Sequence, residues 1–152
     1  MSRESVEVVQ RFFGAVERGL EIWDASRFSL VDAIEAGDIP AETQEALGYL
    51  TPDAEWTPIF ASETYRGRLQ IARGFDELLE AAETYRLKLL EVIDLEDDRV
   101  LAAFGPSLEG RSSGIHVDAA VFAVVTLRDG LIATLDEYTD RREALEAVGL
   151  RE

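Results

Sequence analysis

The chain of 152 residues contains no cysteine, which excludes disulfides, a thiol nucleophile and any thiolate-held metal. Asparagine is also absent, so N-linked glycosylation is excluded. With one histidine, His116, an ordinary histidine-based zinc site cannot be assembled from one chain, and no metal is expected. With one lysine, Lys88, Schiff-base chemistry has a single candidate. Positive charge is scarce: 15 Lys and Arg face 31 Asp and Glu, giving a formal net charge of −16. Such a field repels phosphate backbones and anionic lipid heads, so neither nucleic acid nor a membrane surface is an expected partner. No apolar run approaches the roughly 20 residues of a membrane span. The first residues lead into an amphipathic pattern and show no signal peptide, so a cytoplasmic location is expected. What the chain does have is 47% hydrophobic residues and 9% aromatics, enough for a core, and a length that fits one domain over residues 1–152.

Val6, Val9, Phe13, Val16 and Leu20 recur at three- and four-residue steps and predict a helix over residues 2–20. A second helix is expected over residues 26–36, with Leu30, Val31 and Ile34 on it and Gly37 ending it. Asp38 is placed to cap a third, with Pro40 in its first turn, running to about residue 50. Thr51-Pro52-Asp53 then stops the helix, because proline disfavours helix in the residue before it. Residues 55–60 read as a short strand, at an edge because of Pro58, and residues 69–84 as a fourth helix presenting Ala72, Phe75, Leu79 and Ala82.

Beyond Tyr85 the period changes to that of strands, over residues 87–95 and 100–108, joined at Glu96-Asp97-Asp98. A loop at 110–114 precedes a long β-branched strand over 115–127. Asp129-Gly130 is a hairpin signal, followed by a strand over 131–138. Asp140 with Glu143 forms a capping box for a last helix that Gly149 ends. Helices first and a strand meander after is an α+β order.

Several segments together carry a resemblance to a known family: Ala36-Gly37-Asp38, Pro52-Asp53-Ala54-Glu55-Trp56, Tyr65-Arg66-Gly67-Arg68, Ser113-Gly114-Ile115, the 126–132 hairpin, and the closing 138–150 stretch. The chain resembles the SnoaL-like branch of the nuclear transport factor 2-like superfamily over nearly its whole length. Both residues 12–19 and residues 31–38 match the end of the family's first helix, so a helical insertion of about 18 residues is expected near residues 20–37. The resemblance implies a curved, mostly antiparallel sheet wrapped over N-terminal helices as a cone with an apolar pocket, and a homodimer. Polyketide cyclases, ketosteroid isomerases, epoxide hydrolases and dehydratases share that fold with plain binding modules, so the fold alone does not decide the activity.

The resemblance assigns positions to each of these chemistries. At the isomerase base and oxyanion-donor positions stand Thr57, Phe12 and Ala123, none able to do that work. At the epoxide hydrolase positions stand Phe104, Pro106, Trp56 and Pro58 around Glu137, so that network is absent too. In the cyclases, an Asp general acid/base on the last strand corresponds to Glu137, with Tyr138 and Asp140 at the following aromatic and Asp. Strand alternation puts Glu137 on a face with Ala133 and Leu135, where desolvation raises a carboxyl pKa toward the range useful for proton transfer. The bland alternative is a solvated or arginine-paired carboxylate at the mouth of the cone.

Trp56, Thr57, Phe60, Tyr65, Phe75, Tyr85 and Phe104 are the expected substrate-binding residues, and Trp56, Thr57 or Tyr65 the expected donors to Glu137. Trp23, in the inserted stretch, is a candidate lid residue. Gly110-Arg111-Ser112-Ser113-Gly114 matches the nucleophile-elbow pattern, but a strand and not a helix follows it, so Ser112 is expected to be inert. His116 and Asp118 share a face with Ala120, Phe122 and Val124, the outer one. The opposite face, Val117, Ala119, Val121, Ala123 and Val125, is wholly apolar and is the expected pocket wall. With the outer face also apolar at Phe122 and Val124, a partner subunit is expected to bury it. Glu91, Asp94, Glu96, Asp97 and Asp98 lack calcium-loop spacing and read as a solvated turn. No nucleotide-binding glycine pattern occurs, and no cofactor is expected. The leading expectation is a pocket protein for a hydrophobic small molecule, with Glu137 as proton shuttle if it is an enzyme; the alternative is a binding or dimerisation module.

Overall fold

The computed structural model describes residues 2–26, 29–110, 116–117 and 120–150. Ser112 with its loop and Asp118 lie outside the described residues, as does the side chain of His116. The first helix, α1 (Ser2–Ser26), runs on past residue 20 because its apolar stripe does: Trp23 follows Leu20 by three residues and is buried. The expected insertion is therefore the end of α1 together with α2 (Leu30–Ala36), which Ser29 caps and Gly37 (φ 72°) ends. Pro40 caps α3 (Ala41–Gly48) in place of Asp38. Its backbone is extended (ψ 146°), which puts the ring before the first turn and not inside it.

The first strand, β1 (Leu50–Thr57), begins five residues earlier than the sequence suggested and ends before Phe60. Pro52 is tolerated because the pairing with the neighbouring strand slips between Leu50 and Glu55, sparing the missing N–H. Then come β2 (Tyr65–Arg66), α4 (Arg68–Glu80), β3 (Ala82–Glu96), β4 (Arg99–Gly110), β5 (His116–Val117), β6 (Val121–Arg128), β7 (Leu131–Tyr138) and α5 (Arg141–Ala147). The fourth helix is thus four residues shorter at its end than the expected 69–84, since β3 takes over at Ala82. The long strand is interrupted, but β5 pairs with β4 in the same register that β6 continues, so its parity holds. Asp129 and Gly130 both have positive φ (54° and 79°), the left-handed pair that a two-residue hairpin turn needs.

The sheet order is β2-β1-β7-β6-β4-β3, with β5 on β4. All pairings are antiparallel except β1 with β7. Val100, Ala102, Phe104, Val121, Ala123 and Val125 form the inner face, packed against Val9 and Phe13 of α1. On the outer face Leu101 and Val124 pack with Ala144 of α5, and Phe122 lies partly buried beside them. The chain's own last helix thus covers part of the apolar outer face.

Gly74 of α4 lies against the ring of Tyr65, which is 1% exposed. A Cβ at Gly74 would stand 2.9 Å from Tyr65 Cζ. Gly74→Ala should therefore destabilise the protein by about 1–3 kcal/mol despite alanine's better helix propensity. Urea denaturation checks this as a lowered midpoint at unchanged slope; a raised midpoint would show that the ring has room to move.

Candidate functional site

Glu137 lies on β7 opposite Ala123 of β6, on the inner face with Leu135. Ala133 does not share that alternation as the sequence reading had it. The strand bulges there, since Thr126 pairs with Thr134 and Leu127 with Ile132. Ile132, 0% exposed, takes the inner place instead.

The Glu137 carboxylate is half-buried and accepts two hydrogen bonds: from Trp56 Nε1 to Oε2 at 2.7 Å and from the Ile59 backbone N–H to Oε1 at 3.2 Å. Burial pushes its pKa above the ordinary 4.5, and the two donors pull partly back. Among the described ion pairs no arginine reaches it. Tyr85 is nearby: burial first, and the Glu137 charge second, push its phenol far up, so it stays protonated. Tyr138 pairs with Phe122 and faces the other way.

Trp56 is the centre of an aromatic cluster. Phe60, Tyr65 and Phe75 stand 5.5, 5.7 and 5.8 Å from its ring, and Tyr85 lies 6.4 Å from Phe75. Five of the seven expected binding residues are thereby brought together. Phe104 is held elsewhere, under α1 against Phe13 at 5.3 Å. Thr57 bonds Thr64 at 2.9 Å and also Asp136 of the outer face, so it cannot serve Glu137. Of the three expected donors Trp56 is the one in place; the Tyr65 hydroxyl points to Glu77 at 3.5 Å.

The cavity found among the described residues is not centred on Glu137. It is a partly open space of about 90 Å³ between α1, α2, α3 and α4, with Leu50 at the start of β1. Phe12, Val16, Leu20 and Trp23 line it from α1, Leu30 and Ile34 from α2, Leu47 from α3, and Phe75 and Leu79 from α4. Of its lining side chains only Thr43 and Trp23 carry a polar atom. Phe75 is the one expected binding residue on its wall, and it also closes the aromatic cluster. The sequence showed apolar stripes on α1, α2 and α4 but none on α3. It gave no signal that the four helices leave space where they meet.

Residues 25–135 match the SnoaL-like domain family, and the chain belongs to that family. Bal32a, from a soil-derived mobile gene cassette, shares the fold with a TM-score of 0.66 at 19% identity, covering 94% of each chain. A protein of Jannaschia sp. CCS1 assigned as a SnoaL-like polyketide cyclase gives 0.66 at 20%, covering 97% of this chain and 90% of that one. A nuclear transport factor 2-like protein from Burkholderia pseudomallei K96243 gives 0.63 at 17%, covering 98% and 99%. At these identities the likeness shows the fold. No curated protein matches the chain by sequence.

A raised carboxyl pKa has a stability consequence of definite sign. Above about pH 4.5 the folded state holds the Glu137 proton more tightly than the unfolded chain does, so stability is lost as pH rises through the folded-state value. Below that range both states are protonated and the effect vanishes. Glu137→Gln should therefore gain on the wild type as pH rises from about 4.5 through the folded-state value, and hold a constant advantage above it, in urea denaturation. A pH-independent difference would show that charging this group costs nothing.

Proposed function

We propose that this SnoaL-like protein holds a hydrophobic small molecule, seated in the cavity between α1, α2, α3 and α4. The carrying observation is the chemistry of the wall, apolar save for Thr43 and the Trp23 indole N–H. Water needs two to four polar partners to settle in a cavity, and this one offers few. A dry cavity of about 150 Å³ takes one benzene. At about 90 Å³, this one suits a short alkyl chain, or the apolar end of a larger molecule emerging past the half-buried Leu30, Ile34 and Thr43. No lining residue is cationic, so the ligand is uncharged where it is held.

A second reading, cofactor-free acid/base catalysis, is favoured by Glu137. A half-buried carboxyl with no ion-pair partner among the described residues costs stability, and burial raises its pKa above the ordinary value, which favours a group that can hold and give up a proton. In that reading Trp56 orients the carboxyl, and Phe60, Tyr65, Phe75 and Tyr85 present the substrate's apolar body. Phe75 joins the two regions.

1-Pentanol tests the binding reading. At a free concentration a hundredfold above Kd it should stabilise the protein by about 2.7 kcal/mol, seen as a saturable rise in Tm. Pentanoate should give no such rise. Ala72 lines the cavity and is 3% exposed, so Ala72→Leu should fill the space and abolish the shift. A shift that survives Ala72→Leu would place the ligand elsewhere.

A further inference from the structure

Helix α2 holds no buried residue, yet its Leu30 and Ile34, one turn apart on one face, form part of the cavity wall. It packs on α4 as a cover and is not wedged into the core. Its attachment is polar and concentrated at one end. The Asp76 carboxylate of α4 accepts from Ser29 Oγ at 2.9 Å, from the Leu30 N–H at 2.8 Å and from the Val31 N–H at 3.0 Å. Ser29 Oγ in turn accepts from the Asp32 N–H at 3.2 Å. The free N–H groups that begin any helix are thus met here by a carboxylate from a different helix, one residue after the cavity-lining Phe75.

The other end borders open space. Gly37 closes α2 with no atom within 4 Å of where a Cβ would stand. Ser29, Leu30, Val31 and Asp76 are each half-buried, so the groups released when the Asp76 bonds open lie at the margin of the interior and not deep within it. The apolar face of α2 would then swing off Leu79 and Phe75 and uncover the space between the helices.

We propose that α2 is the lid of the apolar cavity and Asp76 its latch, so that an uncharged apolar ligand enters and leaves when the bonds from residues 29–31 to Asp76 open. The ligand in this proposal rests on the binding reading above; the lid and latch rest on the geometry of α2 and α4. Asp76 acts as a positioning residue, since it does not line the cavity.

The test measures amide hydrogen exchange across the full chain, together with 1-pentanol release rates by NMR exchange. Asp76→Ala should speed exchange of the α2 amides at least tenfold, leave those of β4 and β6 unchanged, and speed pentanol release by a similar factor. Asp76→Asn, which keeps one acceptor oxygen, should fall between. Unchanged α2 exchange in Asp76→Ala would overturn the latch. An increase shared equally by β4 and β6 would overturn it too, since Asp76 would then support the whole fold. Faster α2 exchange with unaltered pentanol release would overturn the lid. Wild-type protein that binds no pentanol, with α2 exchange still selectively faster in Asp76→Ala, would overturn the binding reading and leave the latch standing.

Discussion

Everything about this molecule's interior follows from the seating of α1 in the hollow of the sheet. Val9 and Phe13 fill the inner face against Phe104 and the small residues of β4 and β6, and burying such side chains contributes about 1.5–3 kcal/mol each. A helix committed to a sheet through one stripe has its flank left over. In α1 that flank is also apolar, with Phe12, Val16, Leu20 and Trp23 at steps of four, four and three. The shorter helices α2, α3 and α4 gather over it without filling the space. The helix that builds the core on one side therefore makes a binding wall on the other.

The same seating dictates the surroundings of Glu137. Its strand is an inner one, flanked by β1 and β6, so alternate side chains have nowhere to go but inward. A carboxyl group there has lost part of its water and regains two donors, the indole of Trp56 and the Ile59 backbone. Both donate, so both favour the charged form, while burial favours the neutral one. Burial outweighs the donors and raises the pKa, and the group is held in one orientation by a rigid ring that is itself packed by Phe60, Tyr65 and Phe75.

Legibility from sequence followed the range of the interactions. The 121–138 hairpin was readable because Asp129-Gly130 and period-two alternation are local properties. So was the shared face of Glu137 and Leu135, two residues apart beyond the bulge, whereas Trp56 was one of three candidate donors and only the fold singles it out. Ala133 was misplaced because a bulge breaks the count, and nothing in the Leu131 to Thr134 composition announces it. Pro52 misled in a similar way: it reads as a helix stop, and the register slip that admits it into β1 exists only in the pairing with a strand some 80 positions away. Asp76 passed unnoticed because a carboxylate on a helix is ordinarily a solvated one. Its role appears only when residues 29–31, some 45 positions away, are set beside it.

The parallel pairing of β1 with β7 joins segments far apart in the chain, whereas β3, β4, β6 and β7 meet their neighbours across short connections. Closing a long loop costs entropy before any contact compensates, so local hairpins form early and distant pairings late in folding. Trp56 and Glu137 are 81 residues apart and sit on those two strands. A chain that has formed only its local hairpins would hold most of its sheet and still lack the indole–carboxyl pair, which exists only once β1 has joined β7.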